Sequence, residues 1–90
     1  MNESDVTQQL AKLISDVLHE TVDPGAPDAR LVEDYDANSM DTVDIVERVE
    51  RRFSVKIAND ELASLVTFGD VLAMVLKRSS SNSAAYGNAG

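Results

Sequence analysis

Apolar residues at Val6, Leu10, Leu13, Ile14, Val17 and Leu18 recur at the three- and four-residue spacing of a single buried helix face, so the chain opens with an amphipathic helix from Ser4 to about His19. Ser4 is its expected N-cap, Asp5 suits the first turn, and His19 ends the helix on its polar side. The pattern then breaks. From Glu20 to Asn38, Pro24, Gly25 and Pro27 punctuate a long connection in which Val22, Leu31, Val32 and Tyr35 are the expected anchors, with room for a helical turn near Asp28 to Leu31. Regular spacing resumes in a second helix, Ser39 to Phe53, whose expected buried face is Val43, Val46, Val49 and Phe53 with Ile45 at its flank. On the other side Met40, Asp44, Glu47 and Arg51 form an exposed stripe, with Asp41 and Arg48 beside it.

The next segment, Ser54-Val55-Lys56-Ile57-Ala58, alternates too briefly to found a sheet and reads as an extended connector with Val55 or Ile57 plugging the core. Asn59 is positioned to cap a short helix, Asp60 to Leu65, which at that length is marginal alone and is the element most readily loosened. Thr67-Phe68-Gly69-Asp70 has the form of a capping box and opens a last helix to about Arg78, with Phe68, Val71, Leu72, Val75 and Leu76 facing inward. The final SSSNSAAYGNAG has no periodicity. The expected organisation is one domain over 1–78 and a disordered tail over 79–90. Four helices, one long first connection and no internal repeat make the expected fold class all-α, a small four-helix bundle.

Composition narrows the chemistry. The 16 acidic against 8 basic residues leave a net charge of −8, which repels nucleic acid and anionic lipid surfaces and suits either solubility or docking onto basic patches. There is no cysteine, so disulfides, thiolate metal sites and cysteine nucleophiles are excluded. No apolar run is long enough to span a bilayer and the N-terminus lacks the pattern of a signal peptide, so the expected location is the cytoplasm. The sole histidine, His19, lies far along the chain from any nucleophile and reads as a solvated helix-end residue, while one histidine without cysteine cannot build a zinc site. Acid pairs such as Asp41 and Asp44 lack the spacing of a calcium loop. On this inventory the chain is not expected to be an enzyme.

What remains is Ser39, in Ala37-Asn38-Ser39-Met40-Asp41, where the irregular segment gives way to a helix. A hydroxyl at a helix N-terminus can carry a phosphodiester, because unsatisfied amides and the dipole favour an anion there. By itself such a serine reads equally as an ordinary N-cap. The stretch LVEDYDANSMDTVDIVERVERRFSVKIANDE, however, resembles the acyl carrier protein pattern, in which Asp-Ser-Leu opens the second helix ahead of an acidic and apolar run ending in Phe. The later TFGD resembles the Thr-Val-Gly-Asp that opens that family's last helix, and the two segments stand in the family's order.

The resemblance implies the acyl-carrier bundle and a 4′-phosphopantetheine arm on Ser39 Oγ, delivered from coenzyme A by a phosphopantetheinyl transferase that uses magnesium. The arm's thiol would hold acyl or ketide intermediates as thioesters, supplying the thiol that the chain lacks. The implied partners are the transferase and acyl-processing enzymes with basic docking patches, such as a ketosynthase or an acyltransferase, met by a monomeric carrier through Asn38, Met40, Asp41, Asp44 and Glu47. Aminoacyl or peptidyl cargo, or a carrier-like interaction module that is never modified, are the alternatives. Three positions depart from the family pattern. Asn38 stands where Asp is usual, Met40 where Leu is usual, and Asp36 where a glycine is common three residues before the serine. Aspartate tolerates left-handed backbone better than most residues.

Overall fold

Sixteen residues, Glu3–Leu18, form the first helix, α1, and its start shows how local polar groups decide a boundary. The cap is Asn2, whose side-chain oxygen accepts from the Asp5 amide at 2.8 Å, and not the expected Ser4, which lies inside the helix. At the other end His19 turns left-handed (φ 55°) and its amide donates to the Ser15 carbonyl; its side chain is exposed, as a helix-end histidine should be. The computed structural model describes the backbone of residues 2–89 and the side chains of residues 2–78.

The long connection is more structured than its proline and glycine content predicts. It contains a five-residue helix, α2 (Leu31–Tyr35), three residues later than the helical turn expected near Asp28, because Arg30 is the last extended residue before the chain coils. Val22 and Leu31 are buried anchors as expected, and Tyr35 is half-buried. Val32 is not an anchor. It is 60% exposed, since a helix as short as α2 turns only one side inward and Leu31 occupies it. Ser15 fastens the start of the connection, donating to the Ala11 carbonyl and accepting from the Val22 amide.

Helix α3 spans Ser39–Phe53, the predicted range. Ile45, Val46, Val49 and Phe53 are buried, whereas Val43, expected on that face, is 46% exposed. The buried stripe is centred nearer Ile45 and Val49, and α1 and α4 cover only that arc. After the helix both Val55 and Ile57 plug the core. The connector is held by Glu50, whose carboxylate accepts from the Ile57 amide at 2.9 Å.

The short third helix, Asn59–Ser64, is 3₁₀ and not α. Its N-cap position is Ala58 and not Asn59, because Glu61 reaches back to accept from the Ala58 amide at 3.0 Å and no other side-chain cap is needed. Arg78 binds this element to the last helix, donating to the Glu61 carboxylate and to the Lys56 carbonyl. That last helix, α4, is Phe68–Ala89; Phe68, Val71 and Val75 are fully buried on it, and Leu72 and Leu76 partly. The helix expected to end at about Arg78 continues in its backbone to Ala89, and the side chains of the tail expected over 79–90 lie outside the described residues. Helix α1 packs against both α3 and α4, around a core headed by Phe68, Leu10, Ile14, Ile45 and Val49, each such burial contributing about 1.5–3 kcal/mol. The architecture is the all-α bundle that the periodicity predicts, and among the described residues no helix is long and apolar enough to cross a membrane.

The start of α4 joins the long connection to the bundle. Gly69 donates to the Pro27 carbonyl at 2.8 Å, Phe68 to Ala29 at 3.0 Å, and Leu31 to Val66 at 2.9 Å, giving an isolated antiparallel bridge between Arg30 and Thr67. A Cβ on Gly69 would lie 2.9 Å from the Pro27 oxygen, so only glycine allows this approach. The predicted capping box is present: the Asp70 amide donates to Thr67 Oγ1, and the Asp70 carboxylate accepts from the amides of both Thr67 and Val66, each at 3.0 Å. The Thr67 amide chiefly, with the Val66 amide, holds the Asp70 carboxyl below its usual range against the opposing effect of partial burial.

Two stability measurements follow from this junction. Gly69→Ala should lower the thermal midpoint well beyond the small change of an ordinary helical Gly→Ala substitution, because the Pro27 carbonyl must move and lose its hydrogen bond. Asp70→Asn should cost about 1 kcal/mol at neutral pH. Because the folded carboxyl titrates lower than the unfolded one, this contribution is fully present above the ordinary carboxyl pKa and is lost as pH falls through the folded value. The difference between wild type and variant should therefore shrink only below about pH 4, and a difference that stays constant down to acid unfolding would contradict it.

Candidate functional site

The irregular segment delivers its residues to the start of α3 through one strained position. Asp36 closes α2 in the left-handed region (φ 56°, ψ 31°), a conformation that aspartate tolerates better than most residues. The Ala37 amide donates to the Leu31 carbonyl at 2.9 Å, and the Ala37 side chain is buried. The next residues are thereby turned outward, and Asn38, Ser39 and Met40 are all exposed.

The capping role falls to Asn38 and not to the serine. Asn38 Oδ1 accepts from the Asp41 amide at 2.8 Å, and Asp41 Oδ2 accepts in return from the Asn38 amide at 3.1 Å, a reciprocal capping box. Ser39 is therefore the first helical residue, with an exposed hydroxyl that the cap does not use. The reading of this serine as an ordinary N-cap is excluded by that geometry. The Ser39 and Met40 amides open the helix with no carbonyl acceptor among the described residues, at the positive end of the dipole.

The other residues singled out from the sequence are brought together on one flank but are not equivalent. Asp41 is tied into the capping box, and Asp44 accepts from Arg48 Nε at 3.0 Å. Met40 is 80% exposed, and Glu47 is exposed. Val43, expected inside, lies between them at the helical spacing of three and four residues, so the outward face beginning at Ser39 is Met40, Val43 and Glu47. The signal that finds Val43 is in the sequence: it falls midway between the buried arc and the charged stripe, and only the packing of neighbouring helices decides between them.

Comparison with known proteins gives a consistent result. The family described as "Phosphopantetheine attachment site" matches residues 8–75. The chain is 32% identical over 72 residues to an acyl carrier protein of Thermosynechococcus vestitus, covering 80% of this chain and 89% of the relative. It is 30% identical over 77 residues to an acyl carrier protein of Akkermansia muciniphila, covering 86% and 96%. It is 31% identical over 74 residues to one from Sinorhizobium fredii, covering 82% and 95%.

The division of labour on this flank can be measured. Asp41→Ala should lower stability by about 1 kcal/mol through loss of the capping box, whereas Met40→Ser and Glu47→Lys should each change it by less than about 0.5 kcal/mol as exposed substitutions. Equal losses for all three in chemical denaturation would mean that Glu47 and Met40 are held by contacts of the fold.

Proposed function

We propose that this chain, which belongs to the acyl carrier protein family, tethers acyl or ketide intermediates on a 4′-phosphopantetheine arm at Ser39 and shuttles them between enzymes of polyketide, fatty-acid or related secondary metabolism. The phosphopantetheine-binding domain of acyl carrier proteins carries this group covalently, and such proteins are carrier subunits and not catalysts. The observation that carries the assignment to Ser39 is the division of roles at the start of α3. Capping is done by Asn38 and Asp41, leaving an exposed, uncommitted hydroxyl on the first helical residue.

The donor set there suits a phosphodiester. The Ser39 and Met40 amides lie at the open start of the helix, and the Asp41 carboxylate, two residues on, is occupied by the Asn38 amide. When bound, the arm supplies the thiol on which cargo is held as a thioester. The work of this chain is to present and orient. Ser39 Oγ would be the atom that takes the arm, giving its proton to the base of the transferase and its bond to phosphorus, with the nucleotide half of coenzyme A as leaving group. Its own pKa needs no depression, because the base is external. Burial of Ala37 and the left-handed turn at Asp36 hold the hydroxyl outward against the body of the bundle.

Partner enzymes with basic docking patches would read the adjoining face. Glu47 supplies charge for steering, while Met40 and Val43 supply a small adaptable apolar contact. A face with so little apolar area favours brief encounters, which a carrier visiting several enzymes requires. Asn38 and Asp41 contribute through the backbone course they set, since their side chains are engaged with each other.

Intact mass after incubation with coenzyme A and a phosphopantetheinyl transferase tests the attachment. Wild type should gain one phosphopantetheine and Ser39→Ala none; no gain on wild type, or a gain that persists in Ser39→Ala, overturns the assignment. For the docking face, Glu47→Lys should slow transfer to or from a partner ketosynthase or acyltransferase roughly tenfold at low salt, with the loss fading as salt is raised. An effect independent of salt would argue against steering by this residue.

A further inference from the structure

The cleft between α1 and α3 runs against the charge of the chain. It has a volume of about 550 Å³, and its lining includes Lys12, Leu13 and Asp16 from α1 with Arg48, Arg51 and Arg52 from α3. Half of the 8 basic residues of a protein with net charge −8 thus converge on one open groove. With 16 carboxylates available, every base could be paired within the chain. Yet among the described residues Lys12, Arg51 and Arg52 take part in no ion pair, and only Arg48 is engaged, with Asp44.

The helix dipole accounts for bases in the last turn of α3, where Arg51 and Arg52 stand. It does not account for Lys12, which comes from the middle of α1 and faces the same groove. Gathering like charges from two helices costs repulsion in the free protein, which Asp16 in the lining and the Asp44–Arg48 pair offset in part and which an anionic occupant relieves further. Arg48 and Arg52, four residues apart on α3, make one row, with Lys12 opposite and Leu13 supplying an apolar wall. Cations spread along and across an open groove suit several carboxylates on one chain better than a single small anion.

We propose that this groove docks an acidic segment of a partner protein, whose carboxylates engage Lys12, Arg51 and Arg52. A second copy of this chain is disfavoured as the occupant, because two molecules of net charge −8 repel. The groove is separate from the serine: Arg52 lies about 20 Å along the helix axis from Ser39 at 1.5 Å per residue. The carrier therefore has two docking surfaces of opposite polarity on one helix, the face beginning at Met40 for basic patches and the groove near its far end for acidic ones. A partner enzyme carrying both a basic patch and an acidic segment would be oriented along α3 as well as captured.

The test uses the full-length holo protein, titrated with an oligoglutamate peptide while amide chemical shifts are followed. Shift changes should concentrate at Lys12, Arg51 and Arg52, leave Ser39 and Met40 unmoved, and diminish as salt is raised. The double variant Lys12→Gln/Arg52→Gln, shown to be folded by its thermal midpoint and to gain phosphopantetheine at the wild-type rate, should bind the peptide roughly tenfold more weakly. Three results would overturn the proposal. They are no perturbation in the groove, the same perturbation from inorganic phosphate at matched ionic strength, or groove resonances that shift with protein concentration alone, which would make the occupant a second copy.

Discussion

Everything at the functional end of this bundle depends on the backbone junction between the long connection and the start of α4. Leu31, Phe68 and Gly69 donate across it to Val66, Ala29 and Pro27, and the approach is close enough that Gly69 has no room for a Cβ. This junction fixes where α2 begins, and Leu31, buried beneath it, anchors that helix to the core. From there each step is short: a helix of five residues, a left-handed turn at Asp36, a buried Ala37, and the start of α3. A loosened junction would leave Ser39 at the end of a long floppy tether in place of a rigid step.

The start of α3 separates two tasks that a single serine cannot perform together. A helix needs an acceptor for its first amides, and an attachment point needs a hydroxyl with no prior engagement. Moving the capping box to Asn38 and Asp41 satisfies the first need one residue earlier and frees Ser39 for the second. This also gives physical meaning to Asn38, where relatives of the pattern usually carry aspartate. Its amide oxygen caps as well as a carboxylate would, while the charge in the box is carried by Asp41. The cost is one negative charge fewer for partners to engage, so Glu47 and the apolar pair Met40 and Val43 take a larger share of the outward face.

Charge is distributed along α3 with the same economy. Acidic groups near its start are partly used internally, in the capping box and in the Asp44–Arg48 pair, and exposed Glu47 remains for steering. Toward its end the basic residues are left largely unpaired and face α1. Two stabilising devices elsewhere also bind polar groups across long sequence separations: Glu50 to the Ile57 amide, and Arg78 to Glu61 and the Lys56 carbonyl. These hold the connector and the 3₁₀ helix, an element too short to persist on its own.

The residues that periodicity placed inside, from Leu10 and Ile14 to Val49, Phe68 and Val75, are inside, because a helix that must bury one face leaves a record of that face every third or fourth position. The range of α3 and the capping box at Thr67 and Asp70 were equally legible, each being a local preference of a few residues. Val43 and Val32 were misplaced, since local spacing ranks a position by its neighbours while exposure depends on which arc other helices cover. The caps at Asn2 and Ala58 escaped for a related reason: several polar residues compete at each helix end, and one or two residues of register select the winner. The sequence by itself determined the three longer helices, most of their inward faces and the serine at the head of α3. That Ser39 is uncommitted turned on one residue of register in the local capping box; that Val43 joins its outward face and that four bases share one groove were decided by the tertiary structure, because both depend on groups brought together by packing and not by spacing.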